Sequence, residues 1–289
     1  MRAVRGRVPA RAQEGLGKNV VARGLFLACQ CHPHEDLEVV LPDDAIERFA
    51  TRVKAVEPLA EDIRGLRLES PAGYDYRPGQ FLQLHCDEAT ARNYSLASVP
   101  GLDDEILLHV RRVPGGLVSG WVFDTLRAGA PLMISEARGN CFYVAGAATQ
   151  DLLLIGTGCG LAPLYGIARD ALRQGHAGRI ELYHGSRDVA GQYLARELRE
   201  LARKHPTFFY HPCVDSCAPA DDMRPGTPLA RALEDHPDLG GWRIFLCGNP
   251  KMVEEARVET FLAGAASSAI FADPHLPTCG TPERAGTPC

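Results

Sequence analysis

Three short stretches of the chain carry residue types that could do chemistry. In IGTGCGLAPL, residues 155–164, Gly156, Gly158 and Gly160 alternate after a continuous apolar run, and Pro163 falls in what would be a first helical turn. Proline is tolerated there because its missing N–H would be unpaired anyway. A glycine turn between strand and helix lets backbone N–H groups close on a phosphate at the helix N-terminus. The spacing is G-x-G-x-G, not the usual G-x-G-x-x-G dinucleotide fingerprint, and glycines at such a turn also serve tight packing alone. In ARNYSLASVP, residues 91–100, strand alternation puts Arg92 and Tyr94 on one face and Ser95 on the other. A cation, a flat ring and a small hydroxyl suit one large planar phosphorylated ligand, though an ordinary surface strand carries such residues too.

The third stretch, GLFLACQCHPHEDLEVVLP at residues 24–42, sets Cys29 and Cys31 one residue apart, followed by His32 and His34. HPCVDSC, with His211, Cys213 and Cys217, is a second group of metal-ligand types. Neither has a second pair at zinc-finger spacing, so no metal site is expected from either. Ten cysteines at irregular spacing, with no secretory signal ahead of them, read as reduced thiols. A net charge of -5 gives no electrostatic reason to expect nucleic acid or an anionic membrane as partner. No run approaches the roughly 20 apolar residues that span a bilayer. A soluble cytoplasmic protein acting on small molecules or other proteins is the expectation.

The elements that must position these residues change character once along the 289 residues. Residues 1–23 are basic with little apolar periodicity and read as a mobile arm; residues 273–289, rich in Gly, Pro and Thr, read as a flexible tail. From about residue 50 to 135 come strand-like runs separated by turns: ATRVKAVEPL, IRGLRLES, GQFLQLHC, RNYSLASV, EILLHVRRV and PLMIS, with one helix near residues 119–126. Such short, turn-punctuated strands predict an antiparallel six-stranded barrel over residues 45–146. After residue 149 strands and helices alternate, and Leu161, Leu164, Tyr165, Ala168 and Leu172 keep helical spacing up to Gly175. Alternation of this kind predicts a parallel-sheet domain over residues 147–272, so the fold class is β plus α/β.

Five motifs in order, RPGQF, RNYS, GLVS, GTGCGLAP and CGNPKM, resemble the ferredoxin–NADP reductase superfamily, in particular the flavin reductase components of bacterial oxygenases, over residues 50 to 270. The resemblance implies FAD on the barrel and a nicotinamide nucleotide on the second domain. It places Arg92 on the flavin diphosphate, Tyr94 against the isoalloxazine, Ser95 near flavin N5, and His109, Val110 and Arg111 along the adenine side. Ser119 would meet the diphosphate through backbone and hydroxyl, with Asn93, Gly116 and Val118 in the same motifs. Gly156, Thr157, Gly158 and Gly160 would hold the nicotinamide nucleotide's diphosphate, and Cys247 and Gly248, with Met252 following, would approach the hydride-donating carbon. Ser95 and Cys247 are the implied catalytic positions. Cys247 also fits a buried cysteine ending a strand, and no neighbouring His or Lys marks it as a covalent nucleophile.

Relatives of this type often carry a plant-type ferredoxin domain before the barrel, whose cluster takes C-x4-C-x2-C and a distant fourth Cys. Cys29 resembles that fourth ligand, and residues 24–44 the end of such a domain, but residues 1–28 contain no cysteine. No complete 2Fe-2S site follows from this sequence. The implied activity is hydride transfer from NAD(P)H to FAD and single-electron transfer to a ferredoxin or oxygenase component. The alternatives are a non-catalytic nucleotide-binding subunit and a free flavin reductase. Ser186 and Arg187 after the second strand suit a 2′-phosphate and Asp188 opposes one; the resemblance leans to NADH, with NADPH open. Two positions depart from the family pattern: His275 replaces an aromatic expected near the flavin, with Phe271 as another candidate to cover the ring, and Ala137 replaces a proline.

Overall fold

The computed structural model describes residues 1–16, 18–22, 24–40, 46–215 and 222–275. Cys217, residues 41–45 and residues 276–289 of the expected tail lie outside the described residues. At the N-terminus, β1 (Arg2–Arg5) pairs antiparallel with β2 (Glu38–Val40), and a short helix α1 (Lys18–Ala22) lies between them in sequence. The stretch expected as a mobile arm is therefore paired. Ala3 N–H donates to Gly24 O at 2.9 Å, and Ala12 and Phe26 are buried. These partners lie 20 or more residues away, so no local periodicity announces them.

The barrel comprises β3 (Arg48–Ala60), β4 (Ile63–Glu69), β5 (Phe81–His85), β6 (Ala91–Ser95), β7 (Glu105–Arg111) and β8 (Pro131–Ser135), in the order β6-β5-β8-β3-β4-β7. A bridge between Leu96 and Leu108, with Ala97 N–H donating to Leu107 O at 2.9 Å, brings the two edges together. Period-two alternation drives Ile106, Leu108 and Val110 of β7 and Leu66 and Leu68 of β4 into the interior, each at 0% exposure. Helix α2 (Leu117–Asp124) packs Val118 and Val122 onto the same core. Despite Ala137, Phe81 and Arg138 exchange two backbone hydrogen bonds of 2.8 Å, which keep that loop on the barrel rim.

The second domain is a six-stranded, all-parallel sheet: β9 (Leu152–Thr157), β10 (Ile180–Ser186), β11 (Phe208–Val214), the two-residue β12 (Arg224–Pro225), β13 (Arg243–Gly248) and β14 (Ile270–Pro274). Its order is β12-β11-β10-β9-β13-β14. Helices α3 (Leu161–Arg173) and α4 (Ala195–Lys204) cover one face, and α5 (Pro228–Asp235) and α6 (Pro250–Leu262) the other. The chain runs outward from β9 to β12 and returns to β13, so the topology switches between β9 and β13. A crevice at the carboxyl ends of those strands is where open α/β sheets bind ligands.

The two domains meet along α3. A Cβ on Gly166 would come within 3.0 Å of Pro78 Cβ and 3.1 Å of Ala97 O, so glycine lets the helix lie on the barrel. Gly79, at φ +96, presses against the Cys141 carbonyl and Ile167. Arg169 forks onto both oxygens of Asp103 at 2.7 and 2.8 Å, a half-buried interdomain pair of the stronger, bidentate kind. This contact aims the end of β6 at the switch point.

Candidate active site

Ser95, the last residue of β6, is 7% exposed, and its hydroxyl donates to Asp273 Oδ2 at 2.8 Å. Asp273 lies in β14 beside Cys247 of β13, and His275, one residue past β14, donates its backbone N–H to Gly248 O at 2.8 Å. His275 Nε2 sits 3.5 Å from Ser95 Oγ. Residues expected at the start of a flexible tail thus complete the sheet and the site, because β14 is held by backbone pairing to β13. Burial raises the Asp273 carboxyl above its ordinary range, offset in part by His275 and the Ser95 hydroxyl. Burial likewise lowers His275, with Asp273 opposing. Phe271, at the other end of β14, stacks on Phe245 at 5.5 Å inside the domain, so it is His275 that stands beside Ser95.

Cys247 is fully buried, and its Sγ lies 3.7 Å from Cys141 Sγ. Burial and the neighbouring Cys141 push its thiol well above the usual range, which keeps it neutral and unreactive. The glycine turn around it is set by close approach. A Cβ on Gly160 would fall 2.2 Å from Cys247 O, and one on Gly248 would fall 2.6 Å from Thr157 O. Thr157 Oγ1 accepts from Asn249 N–H at 3.1 Å, joining the ends of β9 and β13. Asn249 Oδ1 caps α6 by accepting from Lys251 N–H at 3.0 Å, whereas Met252, in that first turn, packs toward the core under α5 and α6.

Gly158 has φ +52, a conformation in which an added Cβ would also meet the Arg111 guanidinium at 2.6 Å. Arg111 therefore reaches from the barrel onto the glycine turn, with its Nε 3.1 Å from Asp62 Oδ2. The sequence reading puts it along the adenine side of FAD; its guanidinium lies against the glycine turn of the second domain. Its neighbours also face inward: Val110 belongs to the barrel core, and His109, 3% exposed, is bonded to Tyr193 of the second domain at 3.1 Å. β7 pairs with β4 along one edge and meets Leu96 and Ala97 along the other, and its inward side chains are buried by the barrel core and by Tyr193.

Arg92 is half-buried and donates to Ala91 O at 2.7 Å, Asn93 is exposed, and Tyr94 packs its ring partly on the barrel core. At the start of α2, Gly116 provides no side-chain cap, leaving N–H groups of the first turn open to an anion. The Ser119 hydroxyl is committed within its own turn: it accepts from Val113 N–H at 3.2 Å and donates to Gly116 O at 3.4 Å. Val118 beside it is 1% exposed in the core. Ser186 is similarly committed, donating to Asp188 O at 2.6 Å and accepting from Gln192 Nε2 at 2.9 Å, while Arg187 is exposed.

An uncapped helix start with Arg92 and Tyr94 on the barrel fits a flavin nucleotide. Glycines that bring β9 and β13 together at the switch point, with Arg111 above them, fit a second nucleotide. Residues 50–143 match the oxidoreductase FAD-binding domain and residues 154–258 the oxidoreductase NAD-binding domain. The chain is 33% identical to the reductase component of the Pseudomonas putida naphthalene 1,2-dioxygenase system, over 96% of this chain and 85% of that one. It belongs to the ferredoxin–NADP reductase superfamily.

Within the superfamily, it is also 38% identical to the reductase subunit of an Amycolatopsis aromatic O-demethylase, over 83% of this chain and 74% of that one. The Amycolatopsis cytochrome P450 reductase GcoB superimposes with a TM-score of 0.74 at 32% identity, covering 96% of this chain and 86% of that structure. The chain is thus an oxidoreductase with FAD- and NAD-binding domains, related to reductase components of oxygenase systems. Among its described residues, no helix is long and apolar enough to cross a membrane, and no three His, Cys, Asp or Glu side chains assemble a metal site. Tyr193, His184 and Asp62 carry no motif and were not legible as site residues; Asp273 stands in the ADPHLP segment, where only His275 was read as a site candidate.

Proposed function

We propose that this reductase takes hydride from NADH onto FAD and passes single electrons to a ferredoxin or oxygenase component. The observation that carries the reading is a contact across the domain boundary: Ser95 of the barrel touches Asp273 and His275 of the nucleotide domain. When bound, the nicotinamide supplies a hydride and the flavin accepts it and releases electrons singly. The chain's own part is to hold two rings in register and to keep the cleft dry. Arg92 and the α2 N-terminus would bind the flavin diphosphate, with Tyr94 against the ring. The glycine turn and Arg111 would bind the nicotinamide nucleotide's diphosphate. Cys247 and Gly248 leave room for the nicotinamide because neither carries a large side chain. Ser95, donating to Asp273, fixes a hydroxyl at the reacting edge, and the raised Asp273 carboxyl is able to hold a proton there.

The commitment of Ser186 inside its own turn leaves Arg187 alone as a ligand for a 2′-phosphate, with Asp188 next to it, which supports NADH over NADPH. Residues 24–44 resemble the end of a plant-type ferredoxin domain, and Cys29 within them is exposed. The deciding experiment is anaerobic titration of the purified protein with NADH and with NADPH, followed by addition of ferredoxin or a dye. A yellow protein bleached by NADH and reoxidised by the acceptor supports the reading. A colourless protein that takes up no FAD supports a non-catalytic nucleotide-binding role.

A further inference from the structure

Beneath the glycine turn a buried polar chain crosses the domain boundary. His109 Nδ1 of β7 lies 3.1 Å from the Tyr193 hydroxyl, and that hydroxyl is 3.4 Å from Gly158 O. His184 Nε2 of β10 lies 3.2 Å from the same carbonyl. The Tyr193 ring stands edge-on to both imidazoles, at 79° and 90°. All three side chains are 3% exposed or less. Burial lowers His109 to about 3 and His184 to about 4, so each is neutral and carries a single ring N–H. His184 donates that N–H to Gly158 O, which leaves its Nδ1 unpaired; His109 Nε2 is also without a partner.

Unpaired ring nitrogens in a buried site cost stability that an apolar trio would not incur. The expense falls where one carbonyl, which also accepts from Leu161 N–H in the turn itself, is gripped by two side chains as well. Glycine in the left-handed region permits many peptide orientations, and these side chains add to the backbone bond in selecting one. In a trans peptide the C=O and the following N–H point in opposite directions. A Gly158 carbonyl drawn toward Tyr193 and His184 therefore turns the Cys159 N–H away from them.

We propose that Tyr193 and His184 are positioning residues that hold the Gly158–Cys159 peptide ready for a nucleotide diphosphate, and that His109 lets the flavin barrel set this grip. The proposal rests on the reading of the glycine turn as the nicotinamide nucleotide site. It adds a coupling between domains: the barrel that binds one cofactor orients, through Tyr193, the loop that binds the other.

The test uses the FAD-loaded protein, with NAD+ binding followed by calorimetry and the rate of flavin reduction measured at saturating NADH. Tyr193→Phe should raise the NAD+ Kd about tenfold, a ~1.4 kcal/mol change, and move the saturating rate by no more than about twofold. His109→Leu should weaken NAD+ as well, and the double variant should bind no worse than Tyr193→Phe, because both break one chain. His109→Asn, which places an amide where imidazole Nδ1 sits, should restore most of the affinity. Unchanged affinity in Tyr193→Phe, additive losses in the double variant, or a matching fall in saturating rate would overturn the proposal. Should Tyr193→Phe fail to fold, the His109 pair decides: weakening by Leu with recovery by Asn supports the role, and equal affinities overturn it. Wild-type protein that binds no NAD+ would instead sink the functional reading beneath it.

Discussion

Ser95 and Asp273 stand 178 residues apart in sequence and 2.8 Å apart in space, one ending a barrel strand and the other near the end of the parallel sheet. Their contact makes the site a property of the domain interface. Removing the hydroxyl should therefore affect the chemical step more than binding. Ser95→Ala is expected to slow flavin reduction by NADH roughly tenfold, the scale of one buried hydrogen bond. The NAD+ Kd should change by less than about threefold. Rapid-mixing reduction and calorimetry separate the two, and equal losses would assign Ser95 a structural role only.

Asp273 also makes a prediction about pH. Its folded pKa is raised above the ordinary 3.8, chiefly by burial, so the native state holds this proton more tightly than the unfolded chain does. Stability associated with that form is fully present below 3.8 and is lost as pH rises through the raised folded value. Asp273→Asn cannot lose a proton. The Tm of this variant relative to wild type should rise with pH across that interval and then level off, while its flavin reduction slows. A Tm difference independent of pH would contradict the buried, elevated carboxyl.

Arg111 distinguishes two cofactor assignments. Lying on Gly158 and paired with Asp62, it should serve the nicotinamide nucleotide. Arg111→Ala is expected to weaken NAD+ about five- to tenfold, in keeping with one lost charge-assisted contact, and to reduce the salt dependence of binding. FAD content after gel filtration should be unchanged. Loss of FAD with intact NAD+ binding would return Arg111 to the flavin's adenine side.

Two glycines of one turn should respond differently to alanine. At Gly160 the new methyl meets the Cys247 carbonyl, which is backbone and cannot yield, so the ends of β9 and β13 must separate. A loss of about 2 kcal/mol or more, with failure to bind NAD+, is expected. At Gly158 the methyl meets the far end of the Arg111 side chain, which is free to swing away. Only backbone strain of about 1–2 kcal/mol remains. Chemical denaturation of both variants measures the difference.

The thiols give a further check. Cys29 is exposed, whereas Cys141, Cys159, Cys213 and Cys247 are buried. Burial also raises the last three of these thiols, Cys159 and Cys213 to about 12. Brief alkylation of the native protein followed by peptide mapping should label Cys29 and spare all four. Rapid labelling of Cys247 would mean that the cleft is open and the thiol ionised.

The sequence alone determined most elements of the two large domains, though not β1, α1, β12 or β14. Period-two runs marked β3 to β8, the spacing of Leu161, Leu164 and Ala168 marked α3, and the order of five motifs placed a flavin barrel before a nucleotide domain. These are local signals, because alternation reports which face of an element is buried. They do not report what that face is buried against. Only the tertiary structure decided that Asp273 and His275 meet Ser95, that Arg111 crosses to Gly158, and that His109 bonds Tyr193. Each depends on the packing of α3 on the barrel and on the return of the chain to β13 and β14. Such partners are chosen by the summed burial of many residues, and no short stretch of sequence contains that sum.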